Sequence, residues 1–282
     1  MNVQDFIAHH FSQFEESKIK TIRPLSGGDI NDVYKVSTSR ENYVVKINRV
    51  DRFPGMFEKE AKGLKLLSSC DAVEVPEVVY HDDSGERQIL VMTFVQRGSA
   101  TDFQMGEGLA ALHQVTQQYY GLSHDNYIGS LQQYNVEHQD WPSFLAEQRW
   151  QQQLAMMSPE LKAQLSSPLE ALIQKIPELL SPHRPALLHG DLWSGNYFPG
   201  QKGPVLYDPA VYFGDPIVDL AMMELFGSIA PATEDAYLQN STLQPDWKNL
   251  IPLYQIYPLM VHVNLFGSSY LGGVKRAINT YL

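Results

Sequence analysis

The stretch 186-ALLHGDLWSGNYFPGQKGPVLYDP-209 decides how this chain is read. ALLHGD is a strand-like run, and Trp193-Ser194-Gly195 cannot sensibly continue it, so Asp191 and Asn196 bracket a tight loop. VLYD is a second strand that ends on Asp208, twelve residues beyond Asn196. An Asp and an Asn on one loop, with an Asp at a neighbouring strand end, can converge on one point. Mg2+ wants hard oxygen ligands, usually one or two carboxylates plus substrate phosphates. Phosphoryl transfer also wants a carboxylate to take the proton of the attacking hydroxyl. Each residue alone is equally an ordinary turn former; the set gains meaning from a second signature upstream.

That signature begins with Ser26-Gly27-Gly28-Asp29-Ile30-Asn31, between two strand-like runs. Its backbone N–H groups could cradle phosphates, or the glycines could simply turn a hairpin. Lys46 sits mid-strand in Val44-Val45-Lys46-Ile47, on the face of Val44, and is either exposed or buried with a partner. The helix-patterned segment 53-FPGMFEKEAKGLKLLSS-69 supplies one: Glu60 lies on the same stripe as Leu64 and Leu67. A charge on that core-facing stripe is costly unless paired, and Glu58 points elsewhere. The pair either orients the α/β phosphates of a nucleotide or is a plain structural ion pair.

Outward from these motifs the chain divides in two. Residues 19–95 read mainly as strands (IKTIRPL, DVYKVS, NYVVKIN, VVYH, RQILVMTFV), preceded by an amphipathic helix over 2–16 and interrupted by the one carrying Glu60. A small antiparallel sheet with a single helix is the natural packing. After Arg97-Gly98-Ser99 the pattern turns helical (LAALHQV, FLAEQRWQQQLAMM, LKAQLSSPLEALIQKIPELL, then from DPIVDLAMMELFG onward), so the junction is placed at 95–102. The expected units are 1–95 and 96–282, in an α+β bilobal architecture.

The 282 residues are 44% hydrophobic and 19% charged, which excludes a disordered chain. A net charge of −11 argues against nucleic acid or anionic membrane as main partner, since both need a basic field. The single cysteine, Cys70, excludes a disulfide framework and a Cys-based zinc site, and is expected to be a partly buried thiol. The N-terminus, MNVQDFIAHHFSQFEE, lacks a signal-peptide pattern and no apolar run reaches membrane-helix length, so a cytoplasmic location is expected.

The order of Gly-Gly turn, strand lysine, helix glutamate, junction, HGDxxxxN loop and strand-end Asp resembles the kinase-like phosphotransferase fold. LLHGDLWSGN followed by YDPAVYFGDPIVDLAMMELFG resembles, more particularly, the fructosamine kinase or ketosamine-3-kinase family, and WPSFLAEQRWQQQL is similar to its tryptophan-to-arginine helix. The matches run from Gly27 to about Phe266. The resemblance implies ATP and Mg2+ as cofactors and a small-molecule or protein-bound ketosamine as acceptor, phosphorylated on O3 so that the adduct becomes labile. It implies Asp191 as catalytic base, Asn196 and Asp208 as metal ligands, and Lys46 and Glu60 as the phosphate-orienting pair. Gly27 and Gly28 fall in the nucleotide loop, which here has only two adjacent glycines and carries Asp29 where some relatives have a cysteine. Met92 falls at the gatekeeper position, and the Thr93–Val95 backbone where adenine would bind. Asp219 and His189 match residues that brace the loop, and Trp193 a platform for the sugar. Carboxylates of the acidic chain are expected to meet the substrate amine. Rival readings are a kinase of an aminoglycoside, choline or free sugar, and a nucleotide-binding pseudokinase; the presence of Lys46, Asp191, Asn196 and Asp208 together argues against the latter.

Overall fold

The computed structural model describes residues 2–25, 30–181, 183–243 and 246–282. Its first part is a five-stranded antiparallel sheet of β1 (Ile19–Pro24), β2 (Asp32–Thr38), β3 (Asn42–Arg49), β4 (Val78–Asp82) and β5 (Arg87–Thr93), in the order β1-β2-β3-β5-β4. Strand alternation sends Ile89 and Val91 to one face and Leu90 and Met92 to the other. Both faces are covered, which is why β5 reads as an almost unbroken apolar run. Helix α1 (Val3–Phe11) lays Ile7 and Phe11 on the first face, and α2 (Met56–Leu67) lays Met56, Phe57 and Leu64 on the second.

The sequence pattern overstates α1, expected over 2–16, because Phe14 serves the same cluster without being helical. The helix stops at Ser12, and Phe14 stacks on Tyr80 at 5.2 Å between ring centroids while Glu15 accepts a 2.6 Å hydrogen bond from the Tyr43 hydroxyl. The sheet therefore carries two helices, one on each face, rather than one.

Residues 94–101 run without regular structure into the second part. Here α3 (Asp102–His113), opened by a Thr101–Gln104 capping box, is followed by the hairpin β6 (Asn126–Ile128) and β7 (Leu131–Gln133). Next comes a helical run of α4 (Trp141–Phe144), a π-helical stretch over Leu145–Trp150, and α5 (Gln151–Met156). After α6 (Pro159–Leu179) come four short strands, β8 (Ala186–Leu188), β9 (Tyr197–Pro199), β10 (Pro204–Leu206) and β11 (Tyr212–Gly214). The chain ends in α7 (Ile217–Leu225), α8 (Pro231–Gln239), α9 (Ile251–Phe266) and α10 (Leu271–Asn279) around one large apolar core. Cys70 is buried in that core rather than partly exposed.

The two strands of the diagnostic stretch are not partners. β8 pairs with β11, and β10 pairs with β9, which the sequence pattern missed because both partners are three residues long. Asp191 and Asp208 are instead drawn together by backbone bonds between loops: Ala210 N–H donates to His189 C=O at 2.9 Å, and Tyr207 N–H to Asn196 C=O at 3.1 Å. This crossing requires a glycine at 190, where φ is +83° and an added Cβ would stand 2.1 Å from the Ala210 carbonyl oxygen.

Gly190→Ala should therefore lower the melting temperature by at least ~4 °C, since left-handed strain alone costs about 1–2 kcal/mol and the backbone clash adds to it. Gly55→Ala, at φ +65° but with its nearest neighbour 3.8 Å away, should cost clearly less. Thermal melts of both variants decide it; equal losses would mean that the Ala210 contact is not rigid.

Candidate active site

The loop after β8 is held by groups that do not face solvent. Asp219, fully buried in the first turn of α7, accepts the His189 N–H at 2.7 Å on Oδ2 and the Gly190 N–H at 2.9 Å on Oδ1. His113 Nε2 lies 3.3 Å from the same carboxylate. His189 donates from Nε2 to the Tyr207 carbonyl at 2.9 Å and accepts the Asp191 N–H on Nδ1 at 3.2 Å, a pairing that fixes one neutral tautomer. Burial lowers its pKa, against the opposing pull of Asp219. His189 thus spans the loop and the strand end leading to Asp208.

Asn196 closes the loop, its amide nitrogen donating to the Asp191 carbonyl at 2.8 Å and to Asp191 Oδ2 at 3.1 Å. Burial, and secondarily the negative charge of Asp208, push the Asp191 carboxyl up to about 7; the Asn196 hydrogen bond only partly opposes them.

Lys46 links the two parts of the molecule. Its side chain is buried, and Nζ lies 2.6 Å from Glu60 Oε1 and 2.5 Å from Asp208 Oδ1. Burial alone would strip this amine of its proton, but Asp208 and Glu60 outweigh it and hold the pKa above the ordinary lysine value. Asp208 has φ +55°, the one non-glycine residue with positive φ among those described. Asp and Asn tolerate that conformation best, and such strain clusters at functional sites. Two carboxylates share one ammonium, which leaves a surplus negative charge on the half-exposed Asp208. Among the described residues, Asp208 Oδ2 and Asn196 Oδ1 accept no hydrogen bond. Two unclaimed hard oxygens beside surplus negative charge fit a divalent cation.

The other predicted positions fall as follows. Gly27 and Gly28 lie outside the described residues. Met92 is buried on the α2 face of the sheet. Of the Thr93–Val95 backbone, the N–H groups of Thr93 and Phe94 already donate to Glu77 and Asn42, so only the Val95 N–H is free of a partner among described residues. Trp193 is 39% exposed, and its indole covers Gly195 so closely that a Cβ there would stand 2.3 Å from the ring.

A cavity of about 530 Å³ opens beside Asp191 and Trp193. Much of its wall is α9, through Pro258, Val261 and His262, together with Phe226 after α7. Sequence reading missed this wall because an apolar helix reads as core; that Phe266 at its end is exposed is visible only in the fold. Asp191 is the only carboxylate among the described lining residues of this cavity.

Comparison with known proteins gives the family and the fold. A family model described as fructosamine kinase matches residues 2–282. A probable ketoamine kinase of Enterococcus faecium is 35% identical over 263 residues, covering 92% of this chain and 94% of the relative. A crystal structure from Thermobifida fusca, provisionally named fructosamine-3-kinase, superposes with TM-score 0.86 at 30% identity, covering 99% of each chain. An aminoglycoside phosphotransferase solved with ADP and hygromycin B shares the fold at TM-score 0.66 and 16% identity, covering 99% of each chain. The fold is thus the kinase-like one, and the chain belongs to the fructosamine kinase family.

Proposed function

We propose that this protein transfers the γ-phosphoryl group of ATP to O3 of a ketosamine, and so serves the removal of sugar adducts from amines in the cytoplasm. Residues 1–95 are assigned to covering the nucleotide and 96–282 to holding the acceptor and the catalytic loop. The observation that carries the reading is the convergence of Asp191, Asn196 and Asp208, from two loops, beside a cavity large enough for a small molecule and next to the Lys46–Glu60 pair.

Each residue then has one task. The acceptor hydroxyl lies against the Asp191 carboxylate, which takes its proton as the new oxygen–phosphorus bond forms and the bond to the ADP oxygen breaks. A base whose pKa stands near the working pH suits this exchange. Lys46, oriented by Glu60, meets the α/β phosphates, and the Val95 N–H meets adenine, with Met92 as gatekeeper. Asn196 and Asp208 would hold Mg2+, which when bound offsets charge on the phosphates. Trp193 gives the sugar a flat surface. The fructosamine kinase family favours this reading over an aminoglycoside, choline or free-sugar kinase, and the complete set of reactive side chains favours it over a pseudokinase.

The deciding experiment measures kcat/KM with ATP on a fructose- or ribulose-derived ketosamine beside the free sugars, choline and an aminoglycoside. The ketosamine should lead by at least ~10-fold, the scale of one charge-assisted contact. Equal rates on the free sugars would leave phosphoryl transfer standing and remove the ketosamine.

Asp191 gives a second test with two opposed signs. Asp191→Asn should cut kcat at least ~100-fold, as expected for a lost general base. A carboxyl raised from 3.8 to about 7 in the folded state binds the extra proton there, so it stabilises below 3.8 and loses that benefit as pH rises through 7. Without ligands at pH 8, Asp191→Asn should therefore melt above the wild type, and the gap should close towards pH 5. A lower melting temperature with near-normal turnover would mark Asp191 as a plain turn residue.

A further inference from the structure

Beyond the sugar-binding end, the cavity beside Asp191 has a wall of a different kind. Aromatic rings run without a break from Trp193 to Phe226 (6.5 Å between centroids), His262 (4.6 Å), and on to Phe266 and Tyr270 at 5.4 and 4.9 Å from His262. All five line the cavity, and apart from Asp191 none of its described lining residues is Asp, Glu, Lys or Arg. Burial lowers the pKa of His262, opposed in part by the hydrogen bond between its Nδ1 and the Pro258 carbonyl at 2.7 Å. Phe266 is 56% exposed and Trp193 39%, two large rings left in water beside the reacting carboxylate.

We propose that this wall receives the amine substituent of the acceptor as an apolar or aromatic group, and that acceptors carrying a carboxylate there are turned away. The inference rests on the ketosamine reading and deepens it. The secondary ammonium of such an acceptor would lie against ring faces, which attract cations without a counter-charge. A carboxylate on the substituent would lie against the negative faces of those rings with no described cation to meet it, in a chain whose net charge is already −11.

Three 1-amino-1-deoxyfructose adducts, of methylamine, benzylamine and 4-carboxybenzylamine, separate the possibilities at saturating ATP. The benzyl adduct should exceed the methyl adduct in kcat/KM by ~10-fold or more, the scale of filling an apolar pocket, and the carboxylate should cancel that gain. Phe266→Arg, checked for an unchanged melting temperature, should raise the carboxybenzyl adduct relative to the benzyl adduct. Equal kcat/KM for the benzyl and carboxybenzyl adducts, or a methyl adduct as good as the benzyl one, overturns the proposal while sparing the ketosamine reading. Turnover of free fructose or an aminoglycoside, with none of the three adducts accepted, removes that reading and this proposal with it.

Discussion

One buried ammonium holds the site together. Lys46 on β3 reaches Glu60 on α2 and Asp208 beyond β10, so a single cation ties the sheet, its helix and the second part of the chain. Removing one partner from a buried pair costs roughly 3–5 kcal/mol, chiefly because the other charge is stranded. The lysine is also outnumbered by carboxylates. That imbalance destabilises an empty site and gives a proposed metal–nucleotide complex something to neutralise.

The loop after β8 follows a related logic with neutral and backbone partners. Asp219 spends both oxygens on backbone N–H groups of the loop, and His189 spends both ring nitrogens spanning the loop and the Asp208 turn. With these groups fixed from behind, Asp191 stays at a raised pKa beside Asp208, and Asp208 stays in a left-handed conformation. Both are unfavourable locally and persist because the surrounding bonds leave no alternative, as is common where chemistry is done.

Some of this was legible in the sequence for physical reasons. Glu60 announced itself as a charge on a helix stripe that otherwise faces the core, and Lys46 as a cation on the matching face of an apolar strand. The HGDxxxxN loop and Asp208 were legible because strand runs stopped on them. What stayed hidden depended on tertiary contacts. That Lys46 has two carboxylate partners rather than one is a property of a contact between residues 162 positions apart. The pairing of β8 with β11 involves three residues on each side, too few for alternation to register. The α9 wall of the cavity carries the same apolar residues as core, and only the fold shows which of them face a void. Helix α1 was overextended because Phe14 keeps the period of the helix after leaving it.

The account stands most directly on the surplus charge at Asp208, and calorimetric titration of ATP with and without Mg2+ tests it. Asp208→Asn is the apt variant, because Asn tolerates the positive φ while removing the charge. The wild type should bind ATP more tightly with Mg2+ than without. The variant should lose that gain while its metal-free affinity stays equal or improves, since one negative charge no longer faces the phosphates. Equal weakening with and without Mg2+ would contradict the account and leave Asp208 a structural partner of Lys46.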